Sequence, residues 1–464
     1  MKQRIKKIFQ ITPLKITLFV ILLALVLFFF DFRFLRFMEL KALDLRMASR
    51  GALSPGGETV IAVVDNESIK EIGRWPWSRA TLAKLVDKLK AAGAKAVGFD
   101  MVFSEPDYNS SLRSIDEISA DMKKQGINGN VISILNKKRE NADTDMVLAK
   151  SIARAQNVTL GYFVYIGNKD AFKLSGKDIS GRANRIKNSR YQIINSSEQD
   201  IDDSRIENVY APEPNIKIIS DAARNSGYFN TMPDSDGSMR WSPLVLRFQN
   251  NYYSSLAISV LMQYLDWPML SLNMESYGVE GIKLGNINIP TDDRGRLLIN
   301  YPGPAKTFPH YSINDILKGK IPAEKLNNKI VLVGVTATAV YDLRVTPFGN
   351  VYPGVEIHAS VVDNILHQNF LKYSSLIRFI DIIVIIAFGL IMSLIIVRLR
   401  AVKGLIAALI IIAAFVAANI FMFSRYNVWL NIVYPVLTMI VIYFGITIYR
   451  YIKEEREKKK IRGA

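Results

Sequence analysis

The chain has 464 residues, half of them apolar, a mean hydropathy of +0.14 and a formal net charge of +17. The apolar share gathers into runs long enough to cross a bilayer, which excludes a wholly soluble protein, and much of the positive excess flanks those runs, which sets nucleic-acid binding aside. With no cysteine, neither a disulfide nor a cysteine metal site can support an exported domain, which must be held by its core alone.

Residues 1–13 carry Lys2, Arg4, Lys6 and Lys7 and precede an apolar run over 14–30. A basic start and an apolar stretch also make a secretory signal, but Phe28, Phe29, Phe30, Asp31, Phe32 and Arg33 contain no small-x-small cleavage site, so an uncleaved membrane anchor is expected. Residues 34–50 keep an apolar stripe at helical spacing and predict a helix leading out of the membrane. A β-branched run over 60–64, a helix over 80–92 ending at Gly93 and a buried strand over 96–103 follow, an order that implies parallel strands joined by a crossover. After a polar insertion over 108–142, a helix is expected over 143–155 and a strand over 158–164. Residues 166–208, rich in Asn, Ser, Lys, Asp and Gly, predict a mobile excursion. From Gly227 two apolar runs about an Asp-Ser-Asp-Gly turn predict a hairpin, followed by a helix over 255–265 and further hairpin strands over 282–289 and 297–301. A helix over 313–318, a strand over 330–335 and a helix over 355–367 close the region. The expected fold class is α/β: a mixed, largely parallel sheet with β-hairpin insertions over residues 31–375, plus four transmembrane helices.

The other three spans are expected over 376–397, 405–423 and 429–449. Arg398, Arg400 and Lys403 separate the second from the third, Arg425 alone stands between the third and fourth, and Arg450, Lys453, Arg456, Lys458, Lys459, Lys460 and Arg462 follow the last. The positive-inside rule then places both termini and the 398–403 loop in the cytoplasm and residues 31–375 outside. Asp381 lies just inside the second span with Arg378 three residues earlier, an expected interfacial pair; Ala413, Ala414, Ala417 and Ala418 suit close helix packing within the bundle or between subunits. The tail 450–464 lacks Gly and Pro up to Arg462 and pairs Glu454 with Lys458 and Glu455 with Lys459, so an output helix continuous with the last span is expected; the alternative is a basic anchor.

The stretch IAVVDNESIKEIGRWPWSRATLAKLVDKLKAAGAKAVGFDMVFSEPD, residues 61–107, resembles the start of the CHASE2 family of extracytoplasmic sensor domains. IVLVGVTATAVYDLRVTPFGNVYPGVEIHASVVDNIL, residues 330–366, is similar to that family's closing motif, and ELKALDLRM, residues 39–47, to its opening helix. One span, such a domain and three spans is the order found in bacterial-type CHASE2 receptors, where a class III adenylate or guanylate cyclase or a kinase follows inside the cell. The tail resembles the linker into such a cyclase, but no two-metal Asp pair, Gly-rich kinase loop or kinase catalytic loop stands in the residues after the last span. The resemblance therefore implies the sensor and membrane portion of a receptor of the cytoplasmic membrane, without a catalytic domain. The partners expected are the membrane, an extracytoplasmic small-molecule or protein signal, a second copy in a homodimer, and a cytoplasmic cyclase or kinase; no cofactor is expected.

Candidate ligand residues are those a parallel sheet brings to its carboxyl edge. Asp65 and Asp100 each end a predicted strand, with Glu105 just beyond; the plain alternative is helix capping. Arg74, Trp75, Trp77 and Arg79 surround Pro76 and Ser78 before a helix, where an anion could sit or where the turn and two packed indoles suffice. Asp342, Arg344, Thr346 and Glu356 follow the strand at 330–335; an internal Asp342–Arg344 pair is the alternative. His310, His358 and His367 share no metal-ligand spacing. A rival exported hydrolase lacks a G-x-S-x-G or P-loop motif, and a membrane scaffold working through a separate partner is the second alternative.

Overall fold

The computed structural model describes residues 12–107, 110–126, 129–167, 176–196, 205–337 and 343–462. The chain divides into two compact units, one formed by 1–51 with 371–464 and the other by 52–370.

The 52–370 unit is built on a seven-stranded sheet of β1 (Thr59–Val64), β2 (Ala96–Phe99), β3 (Val158–Tyr165), β4 (Ala211–Glu213), β5 (Asn225–Tyr228), β6 (His310–Ser312) and β7 (Ile330–Val335). The order is β6-β1-β7-β2-β3, all parallel, with β5 pairing parallel and β4 antiparallel to β3. Every residue of β1 is buried, as a strand covered on both faces requires. Val60, Ala62 and Val64 point into one apolar layer with Val97, Phe99, Val331 and Val333, against Leu82, Leu85, Val86 and Leu89 of helix Arg79–Ala91 and Leu148 and Ile152 of helix Thr144–Ala155. The opposite face is covered by helices Leu256–Tyr264 and Gly354–Leu366, buried almost throughout. Glycine admits the second of these: a Cβ on Gly334 would lie 2.5 Å from Val355 Cβ, so the helix rests directly on β7.

The expected α/β architecture holds, with several corrections. The strand expected over 96–103 ends at Phe99, beyond which the chain turns into the carboxyl edge. The stretch expected as a mobile excursion contains helix Gly176–Arg185 and strand Ile193–Ser196, which pairs parallel with Leu270–Glu275. A few buried apolar residues, Ala183, Ile186 and Tyr191, anchor an otherwise largely exposed segment, and Tyr191 donates to the Leu244 carbonyl at 3.0 Å. The Asp-Ser-Asp-Gly segment is not the hairpin turn. Asn225–Tyr228 joins the main sheet, Trp241–Pro243 pairs with Arg296–Leu298, and the hairpin is Val245–Phe248 with Asn251–Ser254. Those acidic residues instead hold a buried cation, since Arg240 donates to Asp234 at 3.0 Å and to Asp236 at 2.9 Å. The later strands form a meander, Leu270–Glu275, Gly278–Leu284 and Ile287–Pro290.

In the other unit, among the described residues, three helices are long and apolar enough to cross a membrane: Leu376–Arg398, Ala401–Tyr426 and Val433–Arg462. Helices Pro13–Phe29 and Arg33–Arg50 are bent by 80° at the intervening break and together meet the same test. A Thr17 hydroxyl donates to Ser393 at 2.7 Å between the first of these and Ser375–Arg398. The last helix starts at Val433, leaving Trp429, expected within a span, in the preceding loop. It then runs unbroken to Arg462; the tail's nearest ion pairs are Lys453–Glu457 at 3.9 Å and Glu455–Lys458 at 3.8 Å. Helix Ala401–Tyr426 turns Gly404, Ala408, Phe415, Asn419 and Phe423 inward, so the Ala413, Ala414, Ala417 and Ala418 stripe lies on its exposed side and does not pack the bundle.

Candidate functional site

Parallel strands β1, β2 and β7 end at one edge of the sheet, and most of the candidate residues follow from that edge, yet they join different groups. Asp65 caps helix Asn66–Ile72: its Oδ1 accepts from Ser68 N at 2.8 Å and from the Ser312 hydroxyl at 3.1 Å, the capping alternative. Trp77 is buried in the sheet layer and donates Nε1 to the Gly73 carbonyl at 2.8 Å. Trp75 meets it edge-to-face at 5.1 Å, also against that layer, while Arg74 is exposed. The peptide between Trp75 and Pro76 is cis. Arg79 lies over the Phe103 ring at 4.5 Å, with Nε 3.5 Å from Asp145 and Nη2 reaching the Glu105 carbonyl at 3.4 Å. Asp107 accepts from Arg79 N at 2.9 Å and from Thr144 at 2.6 Å, so the N-terminus of helix Arg79–Ala91 is already supplied with a carboxylate.

Asp100 behaves differently. It follows β2 at the sheet edge with its carboxylate 3.6 Å from Nε2 of His358, a side chain 5% exposed on helix Gly354–Leu366. Burial pushes His358 down to about 4; a hydrogen bond to the Phe229 backbone opposes this, and the nearby Arg344 charge adds to it. The imidazole is therefore neutral at pH 7, beside one acid and one guanidinium. Arg344 is half-buried on strand Leu343–Thr346, where Thr346 also sits; Asp342 lies outside the described residues. Glu356, fully buried, accepts from the amides of Lys306 at 2.9 Å and Phe308 at 3.3 Å, and His310 Nε2 lies 3.9 Å away. Burial raises its carboxyl, while those amides and His310 pull it back. Glu356 thus fastens the 305–308 loop, whereas Asp100, His358 and Arg344 form the titratable group most suited to a polar ligand.

The sign of the His358 shift gives a test. An imidazole lowered in the folded state leaves the unfolded chain with more bound protons below its ordinary value of about 6.5. Its contribution is intact above pH 6.5 and is lost as pH falls toward 4. Between pH 7 and pH 5 the full chain in detergent is expected to lose about 2 kcal/mol through this group. Raised carboxyls such as Glu356 shift stability the other way, so the comparison is with His358→Gln. The substitution should flatten that part of the profile, and an identical pH profile would refute the assignment.

The 1–51 and 371–464 unit holds a second concentration of charge. Glu39 and Arg46 of helix Arg33–Arg50 are 0% and 2% exposed and pair at 2.8 Å. Arg46 Nη1 also donates to Asn419 Oδ1 and to the Leu430 carbonyl, each at 2.7 Å. Glu39 accepts from the amides of Ile432 and Val433, both at 2.9 Å, and from Trp429 Nε1 at 3.3 Å. Those amides are among the orphan donors at the start of helix Val433–Arg462, so a side chain of one helix caps another. Asp381 does not pair with Arg378, which is exposed; it accepts from Asn431 N at 2.9 Å and from Asn431 Nδ2, one residue before the amides that Glu39 takes. Tyr373 stacks on Trp429 at 4.4 Å and closes the group. Of this network, sequence patterning singled out Asp381 alone. The missed signal is Glu39 and Arg46, two turns apart on the same face as Leu43, together with an asparagine inside the third apolar run.

Among the described residues, no cluster of His, Asp or Glu could hold a metal ion. In comparison with known proteins, the CHASE2 domain model matches residues 18–396. No curated protein and no solved structure matches.

Proposed function

Because the chain belongs to the CHASE2 domain family, we propose that it is the sensing and transducing portion of a membrane receptor. In this reading the 52–370 unit lies outside the cytoplasmic membrane and receives a small-molecule or protein signal, with Asp100, His358 and Arg344 the first place to look for its contacts. Both termini are cytoplasmic. The output passes down helix Val433–Arg462 to an effector such as a class III nucleotide cyclase, within a homodimer to which the exposed alanine stripe would offer close helix approach. The chain then works by coupling and not by catalysis.

The observation that carries the reading is the Glu39 carboxylate. Helix Arg33–Arg50 leads directly into the 52–370 unit, and through Glu39 it caps the first amides of the helix that runs to Arg462. A displacement of the first helix therefore acts on the start of the last, with no need for a change in the intervening spans. A scaffold acting through a separate partner would use the same spans and the same cap for stability alone, so weakening the cap would leave its output unchanged.

Topology is the first test. An enzymatic reporter fused after Arg400 is expected to be cytoplasmic, and one fused after Tyr426 exported. The reverse pattern would place the sensor unit on the wrong side of the membrane and overturn the receptor.

A further inference from the structure

Helix Ser375–Arg398 ends and helix Ala401–Tyr426 begins across only two residues, and beside this corner the 371–464 segment lines a half-open cavity of about 470 Å³. That is the size of a small-molecule site. Ile396, Gly404 and Tyr443 form its apolar wall, and Arg400, Arg450 and Tyr451 its polar side, with Glu454 the one carboxylate against two guanidiniums.

The geometry of Arg450 is the informative part. Its Nη1 donates to the Ile396 carbonyl at 3.1 Å, which also accepts from Leu399 N at 3.4 Å, and to the Leu399 carbonyl at the end of helix Ser375–Arg398. The guanidinium is thereby fixed in place, while Nε and Nη2 make no hydrogen bond among the described residues. Arg400 makes no side-chain cap bond to the helix it precedes and is exposed. Two forked donors, one of them immobilised, suit an oxyanion with several acceptor oxygens. The apolar wall is kept open by a glycine: a Cβ on Gly404 would meet Ile396 Cδ1 at 3.5 Å and Tyr443 Cε2 at 3.9 Å, so a larger side chain there would grow into the space. Along the last helix the cavity spans the change from the apolar run to the basic tail, the level of a bilayer's headgroups.

We propose that this cavity binds an anionic phospholipid, its phosphate held by Arg450 and Arg400 and its first acyl carbons resting on Ile396 and Tyr443. The occupant must be anionic at one end and apolar at the other, because the walls are cationic on one side and apolar on the other. Binding there would hold the corner between the two helices against the helix that leaves the membrane.

The full chain is reconstituted in nanodiscs of mixed phosphatidylcholine and phosphatidylglycerol, released, and its retained lipids counted by native mass spectrometry. The wild-type chain is expected to retain phosphatidylglycerol in preference to phosphatidylcholine. Gly404→Leu, which fills the space without changing charge, and Arg400→Gln, which leaves the Arg450 cap intact, should each lower that retention on the order of tenfold. Retention equal to wild type in both variants would overturn the proposal. So would displacement of the lipid by inorganic phosphate alone, which would mark a site for a soluble anion. A chain that does not insert at all sinks the membrane reading and this site with it, whereas a chain that inserts without lipid preference sinks the site alone.

Discussion

Replacing Arg46 by alanine is expected to destabilise the unit formed by 1–51 and 371–464 by about 3–5 kcal/mol, the range for breaking a buried ion pair by removing one partner. Arg46 donates to Glu39, to Asn419 and to the Leu430 carbonyl, and Glu39 is wholly buried. Without the guanidinium, Glu39 keeps its bonds from Ile432, Val433 and Trp429, but its charge loses the only cation hydrogen-bonded to it among the described residues, with the Asp381 carboxylate held one residue away on Asn431. Neutralising both members, as Glu39→Gln with Arg46→Met, keeps an acceptor for the two amides and removes the unpaired charge. The double variant should recover more than half of the loss, a coupling that independent sites would not show. Denaturation midpoints of the full chain in detergent decide it. A loss below about 1 kcal/mol for Arg46→Ala, or strictly additive single effects, would show that the pair is wet and structurally idle.

That network also shows where legibility in the sequence ends. The β-branched runs of β1 and β7 and the helical spacing over residues 80–92 located the sheet, because strands covered on both faces are continuously apolar and helices covered on one face are periodic. The apolar runs fell on helices that, among the described residues, are long and apolar enough to cross a membrane. Pairing across long separations was not legible: nothing local in Trp241–Pro243 says that its partner is Arg296–Leu298. The same holds for sites. Asp65 was visible as a residue at a strand end, but its cap role depends on Ser312, far along the chain. Asp100 was visible for the same reason, and what distinguishes it is His358, which only the stacking of helix Gly354–Leu366 on the sheet brings near. Glu39 belongs to a helix with an ordinary mixture of charges, and its meaning appears only when the loop before Val433 is placed over it.

Inserting two glycines after Tyr451 is expected to uncouple that loop from anything joined to the tail. The readout needs no knowledge of the natural signal: a nucleotide cyclase domain is fused in frame after Ala464, and its output is compared with and without Glu39→Gln, which weakens the cap on the last helix. In the uninterrupted chain the substitution should change cyclase output roughly 5-fold or more, the lower range of an allosteric coupling. Helix Val433–Arg462 is continuous across Tyr451, so a shift or rotation at its first turn is carried to its last. Each inserted glycine weakens helix by about 1 kcal/mol relative to alanine, and two residues also turn everything beyond them by roughly 200°. Four inserted alanines separate these effects, since they keep the helix and rotate it only about 40° past a full turn. The two-glycine chain should lose its response to Glu39→Gln, and the four-alanine chain should largely keep it. If all three chains respond alike, the segment from Arg450 to Arg462 is a basic anchor at the lipid surface and the signal leaves the membrane by another route.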